Sequence, residues 1–130
     1  MIDLKLLGDG VEFDHIGLAV PSIQDTVGTE LEIHTDETQR VRVAFVNLNG
    51  APVELVEPLD EKSPVTAGLK KGQKLLHLCF KVSDMDAAIK TGRENGFHLF
   101  AKPVPAVAFK GRRIAWLYSK DYGLVELVER

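Results

Sequence analysis

At 130 residues, with 45% apolar and 27% charged side chains, the chain has ordinary globular usage, which sets aside a disordered or fibrous polymer and suits one compact unit or two half-domains sharing a core. The formal net charge is −3 and the basic residues are scattered except at Lys110, Arg112 and Arg113, so no field exists for a nucleic-acid partner. Cys79 is the single cysteine and cannot form an internal disulfide, no basic region followed by an apolar run opens the chain, and no stretch approaches ~20 apolar residues; a cytoplasmic protein without a membrane partner is expected.

Residues 1–10 read as a lead-in ending in the turn-like Gly8, Asp9 and Gly10. Val11 to Val20 alternates as a strand, with Phe13, His15, Gly17 and Ala19 on one face and Ile16, Leu18 and Val20 on the other, the expected core face. Small residues beside His15 leave space above it, which suits a cavity. Ser22 with Asp25 begins a helix that Thr26, Val27 and Gly28 stop after about two turns. Glu30 to Thr35 and Val41 to Leu48 read as strands, and Asn49 with Gly50 as a hairpin turn into the strand of Glu54. A carboxylate in the middle of an apolar strand needs a partner.

Residues 61–74 lie in a run rich in charge, Pro and Gly and read as a linker. Leu75 to Val82 repeats the first strand, with His77 and Cys79 on one face and Leu76, Leu78, Phe80 and Val82 on the other. Ser83 and Asp86 form a capping box for a helix of about three turns that ends before Gly96. Phe97 to Phe100 is the next strand, Lys102 to Gly111 a loop, and Arg113 to Ser119 the first arm of a hairpin whose second arm carries Glu126.

Val53 to Glu57 (VELVE) recurs letter for letter as Val125 to Glu129. Aligned outward, the two copies bring DHIGLAVPSIQDT over LHLCFKVSDMDAA, with His15 on His77. The chain therefore reads as an α+β protein of paired βαβββ modules, residues 11–60 with a shortened helix and residues 75–130. His15 and Glu54 are 39 residues apart and His77 and Glu126 are 49 apart, so the modules differ in length yet keep the same pair of side chains. Two nitrogen and two oxygen ligands suit one divalent ion, with Co, Ni, Mn, Zn and Mg not distinguished. Four protein ligands leave a six-coordinate ion two positions for substrate oxygens, a Lewis acid for an enolate.

On these residues the chain resembles the vicinal oxygen chelate (glyoxalase, bleomycin resistance, dioxygenase) superfamily. The likeness is nearest to methylmalonyl-CoA epimerases, through FDHIGLAVPSI, VELVEPLDEKSPV, LLHLCFKVSDMDAAI and GRRIAWLYSK followed by GLVELVE. The resemblance implies a curved, mostly antiparallel sheet around a central cleft, with metal ligands at His15, Glu54, His77 and Glu126. It implies an isomerase or lyase that moves a proton next to the carbonyl of a small substrate, an acyl thioester or 2-oxo compound, through a metal-stabilised enolate. Glu126 or Glu54 would serve as base. Three departures stand out: Thr38 falls where the epimerases carry a further acid, with Glu37 one position away; Leu76 precedes His77 in place of a second histidine; and Tyr118, Ser119 and Lys120 replace a His, Pro, Lys turn. The short first helix leaves the Leu18 and Val20 face to be covered, for which a homodimer is expected.

Other residues carry plainer readings. Glu57 and Glu129 are expected to be solvated, as are His34 and His98. Cys79 and Gly17 are expected to line the substrate cavity, and Lys110, Arg112 and Arg113 to hold a substrate anion or form a solvated loop. Two further functions share the fold: an antibiotic-type binding protein without turnover, and an extradiol-type dioxygenase, which uses two histidines and one carboxylate.

Overall fold

The computed structural model describes residues 1–130. The first module contains β1 (Glu12–Ala19), α1 (Ile23–Val27), β2 (His34–Asp36), β3 (Val41–Leu48) and β4 (Ala51–Pro58). After α2 (Thr66–Lys70), the second contains β5 (Leu75–Val82), α3 (Met85–Glu94), β6 (Phe97–Leu99), β7 (Val104–Pro105), a 3-10 turn (Val107–Phe109), β8 (Arg113–Ser119) and β9 (Gly123–Glu129). All nine strands form one sheet in the order β2-β3-β4-β1-β5-β9-β8-β6, with β7 also on β8. Only β1/β4 and β5/β9 pair parallel; the remaining pairs are antiparallel, including the central β1/β5 pair that joins the modules. The expected α+β architecture of mostly antiparallel strands is present.

Turn chemistry and caps hold the elements where the sequence puts them. Asn49 and Gly50 both take positive φ, 48° and 93°, the geometry that lets a two-residue turn match the twist of β3 and β4. Ser22 caps α1 by accepting from the Asp25 amide at 3.2 Å. The cap of α3 is Asp84, not Ser83: its carboxylate accepts from Ala87 N at 3.0 Å, while Ser83 Oγ accepts from Arg130 Nε. Both residues suit the role, and the C-terminal arginine engages the serine instead.

Several expectations need correction. The strand expected over Glu30 to Thr35 begins only at His34, because the chain before it leaves the edge of β3 to lay Leu31 and Ile33 over the cluster of Ile23, Val20 and Leu55. The segment 61–74 is no free connector: it contains α2, and Val65 is buried against Ala19, Val41 and Val56. On β1 the more deeply buried face is that of His15, Gly17 and Ala19, whereas Ile16 and Leu18 are half-buried. The cleft face is roofed by side chains from both modules, and the opposite face by α1 with Leu31 and Ile33 and by α3 with Leu6 and Leu7 of the lead-in. The Lys102 to Gly111 loop contributes β7 and the 3-10 turn, and Phe109 on that turn is buried.

Glu57 and Glu129 are engaged rather than solvated. Glu57 accepts from Ile23 N and Arg42 Nη1, each at 2.8 Å, tying α1 to the sheet. Glu129 forms a two-pronged pair with Arg113, 2.9 Å from Nε and 2.7 Å from Nη2. Each module thus ends on a glutamate that clasps an arginine of the neighbouring strand. His98 is exposed as expected, and His34 is half-buried.

Candidate functional site

The sheet register explains how four distant residues meet. Gly17 of β1 lies opposite Glu54 on β4 and His77 on β5, giving one row across the sheet. Two residues along, Cys79 of β5 lies opposite His15 on β1 and Glu126 on β9, giving a second row. Each row holds a glutamate and a histidine with a small residue between them, and each takes one ligand from each module.

His15, Glu54, His77 and Glu126 are all buried, and their ligand atoms lie within 4.8 Å of one another. His15 Nε2 is 3.6 Å from Glu54 Oε1 and 3.4 Å from Glu126 Oε1. His77 Nε2 is 3.5 Å and 3.3 Å from the same two oxygens. These gaps exceed the 2.7–3.2 Å range of N–H···O bonds. Ligands about 2.1 Å from a shared ion stand about 3.0 Å apart at right angles and about 3.4 Å apart in a tetrahedron. The two Nε2 atoms and Glu126 Oε1 are buried with no hydrogen-bond partner, an arrangement that stable proteins rarely tolerate. The donor set therefore fits a divalent cation.

Surrounding groups set the orientation and charge of these ligands. Asp14 Oδ2 lies 2.6 Å from His15 Nδ1, so that nitrogen donates to the carboxylate and Nε2 is left to face the cluster. Burial alone would lower the pKa of both imidazoles. Cys79, Glu126 and Glu54 beside His15, and the two carboxylates beside His77, more than reverse this and raise both. Glu126 moves the other way: burial would raise its pKa, but the two histidines hold it below the ordinary carboxylate range.

Gly17 does not face the substrate space, because the His77 ring occupies the position where a side chain would stand. A Cβ there would be 2.1 Å from His77 Cε1. Cys79 is fully buried beside Ala106, Phe109 and Ile114 and is not among the residues that line the cavity, and burial pushes its thiol pKa up, away from nucleophile chemistry.

A cavity of about 310 Å³ opens above the cluster, walled chiefly by apolar side chains such as Val43, Val56, Phe109, Ile114 and Trp116. Glu54, His77 and Glu126 form part of its wall, while His15 lies beneath the stacked ring of Phe109, centroids 5.9 Å apart. Trp116 meets the His77 ring edge-on at 4.8 Å. No lysine or arginine lines the cavity. Lys110 is exposed, Arg113 pairs with Glu129, and Arg112 donates to the Phe109 and Glu129 carbonyls, bracing the turn that carries Phe109.

Glu37 is exposed in the turn before β3 and does not reach the cavity, whereas its neighbour Asp36 does. Asp36 is 5% exposed, and its Oδ1 accepts the Gln39 amide at 2.9 Å. The alternation that placed Glu30, Glu32 and His34 outward would put Asp36 outward as well, and only the pairing of β2 with β3, which sets Asp36 opposite the cavity residue Val41, shows that this face meets the cavity.

Paired βαβββ modules around a buried two-histidine, two-glutamate cluster define a protein of the vicinal-oxygen-chelate kind. Residues 14–116 match the family model of the glyoxalase/bleomycin resistance protein/dioxygenase superfamily, and the chain belongs to that superfamily. It is 31% identical over 126 residues to the ethylmalonyl-CoA/methylmalonyl-CoA epimerase of Cereibacter sphaeroides, covering 88% of this chain and 94% of the relative. It superimposes on methylmalonyl-CoA epimerase from Mycobacterium tuberculosis with a TM-score of 0.73 at 30% identity, covering 99% of this chain and 92% of that one. A variant of Streptomyces coelicolor methylmalonyl-CoA epimerase in complex with 2-nitronate-propionyl-CoA gives 0.70 at 30% identity, with coverage of 91% and 96%. These relatives are enzymes, isomerases that act on acyl-CoA thioesters. No helix of the chain is long and apolar enough to cross a membrane.

Proposed function

We propose that this protein is a metal-dependent isomerase that moves a proton at the carbon next to a thioester carbonyl, with methylmalonyl-CoA or a close 2-alkylmalonyl thioester as substrate. The observation that carries this is the set of buried, partnerless Nε2 atoms of His15 and His77, 3.3–3.6 Å from the Glu54 and Glu126 oxygens on the floor of an apolar cavity. Relatives at about 30% identity that are epimerases support the reaction type. They give no corresponding support to the sequestering protein or the dioxygenase.

His15, Glu54, His77 and Glu126 would hold the metal, which supplies a Lewis acid that makes the C–H bond next to a carbonyl more acidic. The chain's own side chains do the rest. Val43, Val56, Ile114 and Trp116 keep water from the reacting carbon and leave little to screen charges in the cavity. Asp14 holds the His15 ring in one tautomer, and Gly17 gives His77 room to reach the cluster. Glu126 and Glu54, each with two oxygens, are the proton carriers within the ligand set. A homodimer in the cytoplasm is the proposed setting; the apolar face away from the cavity, where Leu78 is 43% exposed beside half-buried Ile16 and Leu18, supports the self-association.

Elemental analysis of protein purified without chelator, beside a His77→Ala variant, is the first test. About one divalent ion per chain is expected, lost in the variant. In deuterium oxide the wild type should then exchange the α-proton of methylmalonyl-CoA, read by NMR. A wild type that binds none of Co, Ni, Mn, Zn or Mg and leaves that proton in place refutes the proposal.

A further inference from the structure

The substrate proposed above brings three oxygens to its reacting end, one on the thioester carbonyl and two on the free carboxylate. A six-coordinate ion held by His15, Glu54, His77 and Glu126 has room for two of them. The remaining oxygen shares the carboxylate's negative charge inside an apolar cavity with no lysine or arginine in its wall, and burying such an oxygen without a hydrogen bond is costly. It needs a neutral donor.

Outside the ligand cluster, three cavity residues have polar side-chain atoms: Asp36, Gln39 and Trp116. A carboxylate such as that of Asp36 supplies acceptors alone. Gln39 precedes β3, and that strand meets the cluster only further along, at Phe45, opposite Glu54. Trp116 stands among the ligands: it is opposite Glu126 in the β8/β9 ladder, and its ring centroid is 4.8 Å from that of His77. Its Nε1–H donates to no group of the chain, and it is not one of the sealed, partnerless atoms, which are His15 Nε2, His77 Nε2 and Glu126 Oε1. The donor is therefore open to the space that Trp116 lines.

We propose that the Trp116 indole N–H holds the free carboxylate of the thioester, which makes Trp116 the residue that selects malonyl over simple acyl thioesters. This deepens the isomerase function proposed above and rests on it. The side chain has two separable tasks. Its ring covers His77, for which an aromatic ring suffices, and its N–H serves the carboxylate. Trp116→Phe keeps a ring in place and removes the donor.

Trp116 is the chain's single tryptophan, so the zinc-loaded, nitrogen-15-labelled wild type has one indole N–H resonance. NMR follows that resonance during titration with methylmalonyl-CoA and with propionyl-CoA, which differs in lacking the carboxylate. Calorimetry gives the dissociation constants of both thioesters for the wild type and Trp116→Phe, each checked for zinc content and circular dichroism.

The indole resonance is expected further downfield with methylmalonyl-CoA than with propionyl-CoA. Trp116→Phe is expected to keep its zinc and to bind methylmalonyl-CoA about 10–100-fold more weakly, the usual effect of losing a hydrogen bond to a charged group, with propionyl-CoA affected by less than about threefold. Packing alone would weaken both thioesters alike, so an equal fall for the two overturns the role. So does an indole resonance that takes the same position with both, a result read on the wild type and independent of how the variant folds. A wild type that binds neither thioester and leaves the α-proton of methylmalonyl-CoA in place overturns the isomerase function together with this role. A wild type that exchanges that proton while its indole resonance ignores the carboxylate overturns the role alone.

Discussion

A methyl group added at Gly17 would stand 2.1 Å from His77 Cε1, 2.4 Å from Nδ1 and 2.6 Å from Nε2. Comfortable carbon contacts lie near 3.5 Å, so the ring would have to retreat by about 1.4 Å. Metal ligands tolerate displacements of about 0.2 Å. Gly17 lies mid-strand without a left-handed φ, so alanine meets no backbone strain there and the effect is steric alone. Overpacking of this kind destabilises by about 1–3 kcal/mol, a fall of several degrees in melting temperature. Gly17→Ala should therefore lower metal affinity by about 100-fold or more, at or beyond the upper end of what loss of an outer-shell partner does. Calorimetric titration with Co or Zn, with chelator competition for the wild type, measures it. Wild-type affinity in a folded Gly17→Ala would show that the His77 ring does not need the space above this glycine to reach the metal.

Asp14→Asn removes the charge that fixes the His15 tautomer and should weaken metal binding by about 10–100-fold with the fold intact; an unchanged dissociation constant, measured by the same titration, would remove Asp14 from the site. Leu78→Glu places a carboxylate in the exposed apolar face away from the cavity. The wild type is expected to sediment as a dimer and this variant as a monomer, and a monomeric wild type at micromolar concentration would refute the proposed self-association.

The amphipathic alternation of β1, β3 and β5, the Ser22 cap, the Asn49–Gly50 turn and the repeated VELVE strand were legible because each depends on residues close together in the chain. What the sequence could not show depends on pairing between distant strands. Asp36 reads as one more polar residue of a polar stretch until the β2/β3 ladder sets it opposite Val41, whose face lines the cavity. Phe109 sits in a loop with no periodic signal, and only the 3-10 turn, braced by Arg112, brings its ring over His15. Glu57 and Glu129 look solvated at strand ends because their arginine partners lie on neighbouring strands.

The two rows across the sheet explain how so short a chain brings two histidines and two glutamates from distant positions to one point. In a parallel pair such as β1/β4 or β5/β9, opposite residues share a face and stand one strand apart, and the antiparallel β1/β5 pair adds a third position on that face. A glutamate and a histidine at the outer positions of such a triplet can converge only if the middle residue does not fill the space between them. Gly17 meets that condition in the row of Glu54 and His77, and Cys79, a small side chain buried beside Ala106 and Ile114, meets it in the row of His15 and Glu126. Because each row draws on both modules, neither module alone holds a complete pair of rows, and the metal would join the two halves as well as serve the chemistry. The repeated βαβββ unit thus holds the four side chains in register through the central β1/β5 pairing, which leaves the segments between them free to differ in length, as α1 and α3 do.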